Sequence, residues 1–158
     1  MRTTTNWGAH CRAAAGAMAL GAMMAGAQAQ VVTCPGNSCD VTVTVTGTPA
    51  APVVRVSATE LRMQRGARNP VITWKLDAAD YEFRQESIRP YTGPSVPGKQ
   101  STTKAAWDDQ CTRLNTSGTA IRIRNQNSKA VTLTYDVTVF HKATGRSFTL
   151  DPALVNDP

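Results

Sequence analysis

Val41-Thr42-Val43-Thr44-Val45-Thr46 alternates apolar and polar residues without a break. Side chains of an extended chain point to opposite faces in turn, so a period of two predicts a half-buried β-strand. The pattern returns at Ala130–Phe140, with Val131, Leu133, Tyr135, Val137 and Val139 on one face and Thr132, Thr134, Asp136 and Thr138 on the other. Ile121-Arg122-Ile123-Arg124 repeats it with arginines outward, and Val71–Leu76 puts Ile72, Trp74 and Leu76 on one face. Shorter strands fit Val53–Val56, Glu60–Gln64, Tyr81–Arg84 and Arg146–Leu150. In these phases Trp74, Tyr81, Phe83, Tyr135 and Phe148 all face a core.

Turn formers punctuate the apolar runs at Gly47–Pro52, Arg65–Pro70, Asn125–Lys129 and Ala143–Arg146. About eight short strands at this spacing predict an all-β fold, an antiparallel Ig-like or Greek-key β-sandwich, as a single domain over residues 30–158. Helix is expected only as a turn near Thr103–Gln110. The least regular stretch is Ser87–Gln110, broken by Pro90, Gly93, Pro94, Pro97 and Gly98. A loop of that length is uncommon unless it is functional or mobile. Tyr91, Trp107 and Asp108 within it are therefore the candidate binding residues. The competing reading is a plain connection that hides an edge strand.

Residues 1–29 follow another logic. Arg2, His10 and Arg12 precede an Ala-, Gly- and Met-rich run, Ala13–Gly26, which ends in Ala27-Gln28-Ala29. A positive start, a short apolar segment and an A-x-A site make a secretory signal peptide, with cleavage expected after Ala29. The run is too short and too weakly apolar for a bilayer span. The expected mature protein is exported, periplasmic or secreted, with no membrane span after signal cleavage.

Cleavage lowers the formal charge. The whole chain of 158 residues carries +6; losing Arg2 and Arg12 leaves 15 basic and 11 acidic residues, net +4. That excess is too small and dispersed to argue for nucleic acid as a partner. Cys11 leaves with the signal, so Cys34, Cys39 and Cys111 remain as disulfide candidates in an oxidising compartment. Cys34–Cys39 closes across a Pro-Gly turn. Cys39–Cys111 closes a long loop, stabilising by roughly 4 kcal/mol in the chain-entropy model. Cys39 also shares the inward phase of Val41 and Val43, and both pairings stay open.

Histidine poverty restricts the chemistry. The mature chain holds one histidine, His141, so a type-1 copper site of two histidines and a cysteine is not met within one chain. His141 and Met63 with a cysteine form the alternative reading, a soft-metal (copper) binding periplasmic protein. A serine triad has only His141 for its base and no G-x-S-x-G elbow. Asp77, Asp80, Glu82, Glu86, Asp108 and Asp109 offer carboxylates, yet no spacing pairs two of them in a cleft. The expectation is therefore no enzyme, no catalytic residue and no cofactor.

Carbohydrate recognition uses aromatic faces ringed by polar groups, a setting in which Trp107 and Tyr91 lie; the competing reading has Trp107 plugging one end of the sandwich. Val41–Thr46, regular and uncharged, offers a strand for another chain's sheet, against the simpler reading of a strand within its own sandwich.

Ile72-Thr-Trp74-Lys-Leu76, Tyr81-Glu-Phe83, Tyr135-Asp-Val137-Thr-Val139 and the closing Asp151-Pro152-Ala-Leu-Val-Asn156 carry a resemblance. The chain resembles an uncharacterised group of small exported proteobacterial β-sandwich proteins. The resemblance implies a sandwich and a cell-envelope setting, and carries over no functional residue. The resulting expectation is a non-catalytic exported binding or structural module of the bacterial cell envelope, whose partner is an envelope protein or a glycan.

Overall fold

A computed structural model describes residues 30–158; the expected signal peptide, residues 1–29, lies outside the described residues. Two β-sheets face each other across one apolar core. The first contains β2 (Ser38–Thr48), β3 (Ala51–Val56), β5 (Val71–Asp77), β8 (Cys111–Thr116) and β9 (Ala120–Asn125), in the order β3-β2-β5-β9-β8. The second follows the path β1 (Val31–Cys34), β4 (Glu60–Met63), β12 (Ala153–Asn156), β10 (Val131–His141), β11 (Ser147–Leu150). Two short strands, β6 (Tyr81–Glu82) and β7 (Ile88–Pro90), also pair with β10.

The all-β sandwich is as expected, with twelve strands among the described residues in place of about eight. The additional ones are β1, β7, β8 and β12, each too short or too exposed to show a clear alternation. The pairing also departs from a purely antiparallel plan. β2 runs parallel to β5, and β4 runs parallel to both β1 and β12. Hydrophobic phase decides which face of a strand is buried, and carries no information about the direction of its neighbour.

Register turns the alternation into packing. Val41, Trp74 and Ile121 lie side by side across β2, β5 and β9; Cys39, Ile72 and Ile123 form the next inward row. Leu133, Tyr135, Val137 and Val139 of β10 meet these rows from the second sheet, joined by Leu61, Met63 and Leu154. Burying one such side chain stabilises by about 1.5–3 kcal/mol, which explains why the longest alternating runs became the central strands. β2 is paired on both sides, by β3 and by β5. Val41–Thr46 is therefore a strand of its own sheet, paired with β5 up to Thr44 and with β3 from Val43 onward.

Cys34 and Cys39 are bonded, with Cα atoms 5.1 Å apart. Cys34 ends β1 and Cys39 lies in β2, so the bond joins the two sheets across the Pro35-Gly36 turn. Cys111 is left as a buried thiol with no disulfide partner among the described residues.

The segment expected to be a long loop is largely organised. A 3-10 turn at Gln85–Ser87 leads into β7, and a bridge joins Val96 to Lys99. The chain then enters the helix α1 (Lys104–Gln110). Thr103 caps it, its hydroxyl accepting from the Ala106 N–H at 3.1 Å, and this satisfies one of the donors left open at a helix start.

Candidate functional site

β7, the turn that follows it, α1 and β8 enclose a surface groove of about 660 Å³. Its walls are Ile88, Arg89, Pro90, Tyr91, Thr92 and Gly93 on one side and Lys104, Trp107, Asp108, Cys111 and Arg113 on the other, with Asp136 of β10 at the base. Tyr91, Trp107 and Asp108, selected from the sequence as candidate binding residues, thus line a single groove.

Tyr91 is held from several directions. Its backbone N–H donates to Thr134 O at 3.0 Å, and its carbonyl accepts from Thr102 N–H at 2.7 Å. Its hydroxyl donates to Pro94 O at 3.1 Å, and the Lys99 ammonium lies 3.3 Å from its ring centroid. Lys99 is fixed in turn by Asp151 at 2.7 Å. Gly93 leaves room for the ring in this position, because a Cβ there would lie 2.5 Å from the Tyr91 hydroxyl oxygen and displace it. The ring is therefore a rigid, half-buried wall.

Trp107 differs from its expected role as an exposed platform. It is 7% exposed and rests on Tyr135 with ring centroids 5.8 Å apart. The helix turns it inward onto the core, where apolar contact outweighs the polar character of its sequence neighbours. Only part of it reaches the groove. Asp108, one residue on, points outward and pairs with Lys104 one turn earlier.

The charges of the groove do not cancel. Lys104 pairs with Asp108, and Arg89 Nε pairs with Asp136 at 3.3 Å. Arg113 takes part in none of the ion pairs among the described residues; its guanidinium donates to Ile88 O. Desolvation lowers the Arg113 pKa from its ordinary value, and the nearby Glu86 charge opposes this. Desolvation likewise raises the Asp136 carboxyl; neighbouring Asp151 adds to the shift and Arg89 opposes it. Burial, with a smaller contribution from Asp108, pushes the Cys111 thiol up to about 12. A thiol of that kind is a poor nucleophile at neutral pH.

Arg89, Arg113 and Asp136 were not among the residues selected from sequence. Asp136 sits on the outward phase of β10, which reads as solvent, but Arg89 of β7 covers it. Arg113 lies in β8, whose burial pattern shows no alternation that would have marked a strand.

His141 and Met63 are not brought together. Met63 is 1% exposed in β4, between β1 and β12, while His141 is the last residue of β10. Thr132 is two strands from Arg62, and nine residues separate it from His141, roughly 30 Å along the strand at 3.3 Å per residue. His141 Nδ1 meets Thr144 Oγ1 at 2.9 Å, and its ring packs edge-on against Tyr81. Among the described residues no three His, Cys, Asp or Glu side chains are grouped as a metal site. Nor is any described helix long and apolar enough to cross a membrane.

The chain matches no protein-family model, and no curated protein is similar to it in sequence.

Proposed function

We propose that this protein is a non-catalytic, exported binding module of the bacterial cell envelope, and that the groove between β7 and α1 is its ligand seat. The observation that carries the reading is the convergence of Tyr91, Trp107 and Asp108 on one groove of about 660 Å³. That volume falls in the range of small-ligand sites, which combine apolar walls with a few placed polar groups. The rigid Tyr91 ring and the flanking Lys104–Asp108 and Arg89–Asp136 pairs fit that description. Export is supported by the Cys34–Cys39 bond, since disulfides persist in oxidising compartments.

Backbone amide shifts, followed by NMR during titration with soluble oligosaccharide and peptide fragments of the envelope, test the seat. Saturable shifts confined to residues 88–93 and 104–113 are expected. Shifts centred elsewhere, or none with any fragment, would remove the groove as the ligand site. Export is checked separately by the mass of protein recovered from the periplasm, which is expected to begin at Gln30; a mass that retains residues 1–29 argues against it.

A further inference from the structure

We propose that the groove takes a carboxylated saccharide, its carboxylate received by Arg113 and a sugar-ring face laid against Tyr91. The inference rests on the groove being the ligand seat and adds the chemical class of the ligand.

Charge is the first argument. The groove holds three cations and two carboxylates, and two of the cations are already engaged by Asp108 and Asp136. Arg113 is left with a planar fork of donors, of which one bond goes to Ile88 O. A guanidinium fork matches a carboxylate in two parallel hydrogen bonds, and charge-assisted bonds of this kind are stronger than neutral ones. Its partial desolvation works in the same direction, because a partner anion restores what burial removes. A neutral ligand leaves this cation with only the nearby Glu86 charge, which comes from outside the groove lining, to balance it.

Shape and polarity supply the second argument. A sugar ring presents apolar C–H faces and a rim of hydroxyls that both donate and accept. Tyr91 offers a ring already positioned by its hydroxyl bond to Pro94 O and by Lys99, which lowers the ordering cost of binding. Thr92 and Asp108 offer polar groups around it. An extended peptide would instead look for free backbone groups on the wall, as in strand addition. Tyr91 itself has none to give, since its N–H is bonded to Thr134 O and its carbonyl to Thr102 N–H; a peptide would have to pair with the edge strand β8 instead, which the tripeptide below tests.

Calorimetric titration of the purified protein with uronic-acid trisaccharides (galacturonate, glucuronate and mannuronate), their methyl esters and a tripeptide with a free carboxylate tests the inference. At least one uronate is expected to saturate, with its ester weaker by roughly tenfold or more, the size of a lost charge-assisted bond. Arg113→Gln should reduce that uronate to the affinity of its ester and leave the ester unchanged, with Arg113→Lys intermediate. Tyr91→Ala should weaken both, and Arg122→Gln on the outer face of β9 should change neither.

Equal binding of acid and ester, or binding of the tripeptide in place of every uronate, overturns the saccharide carboxylate while the groove survives as a seat. Failure of every uronate to bind also overturns it, and the amide mapping above then decides whether the groove stands. Uronate binding that is indifferent to both Arg113→Gln and Tyr91→Ala removes the inference and the seat together.

Discussion

Trp107 lies against Tyr135 with ring centroids 5.8 Å apart, and Tyr135 meets Trp74 edge-on at 5.6 Å. The wall of the groove is thus continuous with the aromatic centre of the sandwich. Trp107→Ala is expected to destabilise the fold by about 3–5 kcal/mol, as for other buried aromatics. Tyr135→Phe is its contrast. The Tyr135 hydroxyl is buried with no well-formed hydrogen bond among the described residues, and the Trp74 indole N–H beside it is likewise unsatisfied, so removing the hydroxyl should cost little. Urea unfolding of both variants checks the pair. An unchanged Trp107→Ala midpoint would show that the helix, not the ring, closes the core.

The Cys34–Cys39 bond closes a loop of only six residues, so chain entropy credits it with about 2 kcal/mol, half of what a Cys39–Cys111 bridge would give. The double variant Cys34→Ser, Cys39→Ser should lose that amount and keep the fold, since β1 and β2 stay paired to β4 and β5. Non-reducing peptide mapping should recover Cys34 linked to Cys39 and leave Cys111 as a thiol. A Cys39–Cys111 peptide would contradict the pairing.

Cys111 also sets an alkaline limit. Its ordinary pKa of 9.0 is raised to about 12 by burial, so from pH 9 upward the unfolded chain releases a proton that the folded chain keeps. Stability is then full below pH 9 and falls as pH rises toward 12, by at most about 1.4 kcal/mol per unit from this group. Tyr135, also raised by burial, adds a loss that begins above pH 10. Cys111→Ala should flatten the stability profile between pH 9 and 10, measured by urea midpoints. Reaction of the native thiol with a disulfide reagent at pH 8 should be slow and limited by opening of the fold. Rapid labelling, or no change in the profile, would mean that the thiol is accessible.

Three amides form a buried polar cluster where β9, β12 and α1 meet. Asn156 Nδ2 donates to Gln110 Oε1 at 3.0 Å and to Asn125 Oδ1 at 3.2 Å, and Asn125 Nδ2 donates to Asn156 Oδ1 at 2.5 Å. Asn156→Ala strands a donor on Asn125, and is expected to cost about 2–4 kcal/mol for the unsatisfied groups and the lost volume. Asn156→Asp should be as damaging at pH 7, where it buries a charge, and recover partly in acid as the carboxyl protonates. Thermal midpoints at pH 7 and pH 4 distinguish the two; an Asn156→Asp variant that is equally stable at both would show that water reaches the cluster.

These amides mark how far the sequence could be read. β2, β5, β9 and β10 were legible because apolar burial writes a strict period of two into strands with one wet face. Asn125 continues the inward phase of Ile121 and Ile123, so that phase already placed an amide in the core. It lay in a turn-rich stretch and read as punctuation. β8 was illegible for the opposite reason. It is an edge strand with a register shift between Arg113 and Asn115, and an edge with little to bury leaves little pattern. The groove was half legible: Tyr91, Trp107 and Asp108 stood out as polar-flanked aromatics and charge, whereas Arg89, Arg113 and Asp136 reach it through pairing that no local pattern records.

Gly93 provides the sharpest separation of the groove from the fold. Its φ is not in the left-handed region, so alanine there meets no backbone penalty. The new Cβ, however, would stand 2.5 Å from the Tyr91 hydroxyl oxygen and 2.6 Å from the adjacent ring carbon. The ring must move, and with it the bond to Pro94 O and the stacking of Lys99. These contacts are exposed and contribute little to stability, so the thermal midpoint of Gly93→Ala should stay close to that of the parent. Its aromatic resonances from Tyr91 should shift, and affinity for any groove ligand should fall by roughly tenfold, as expected when a rigid contact face is displaced. Shifted resonances with unchanged affinity would take Tyr91 out of the binding surface. A large fall in the midpoint would instead make the Tyr91–Pro94 turn part of the structural frame.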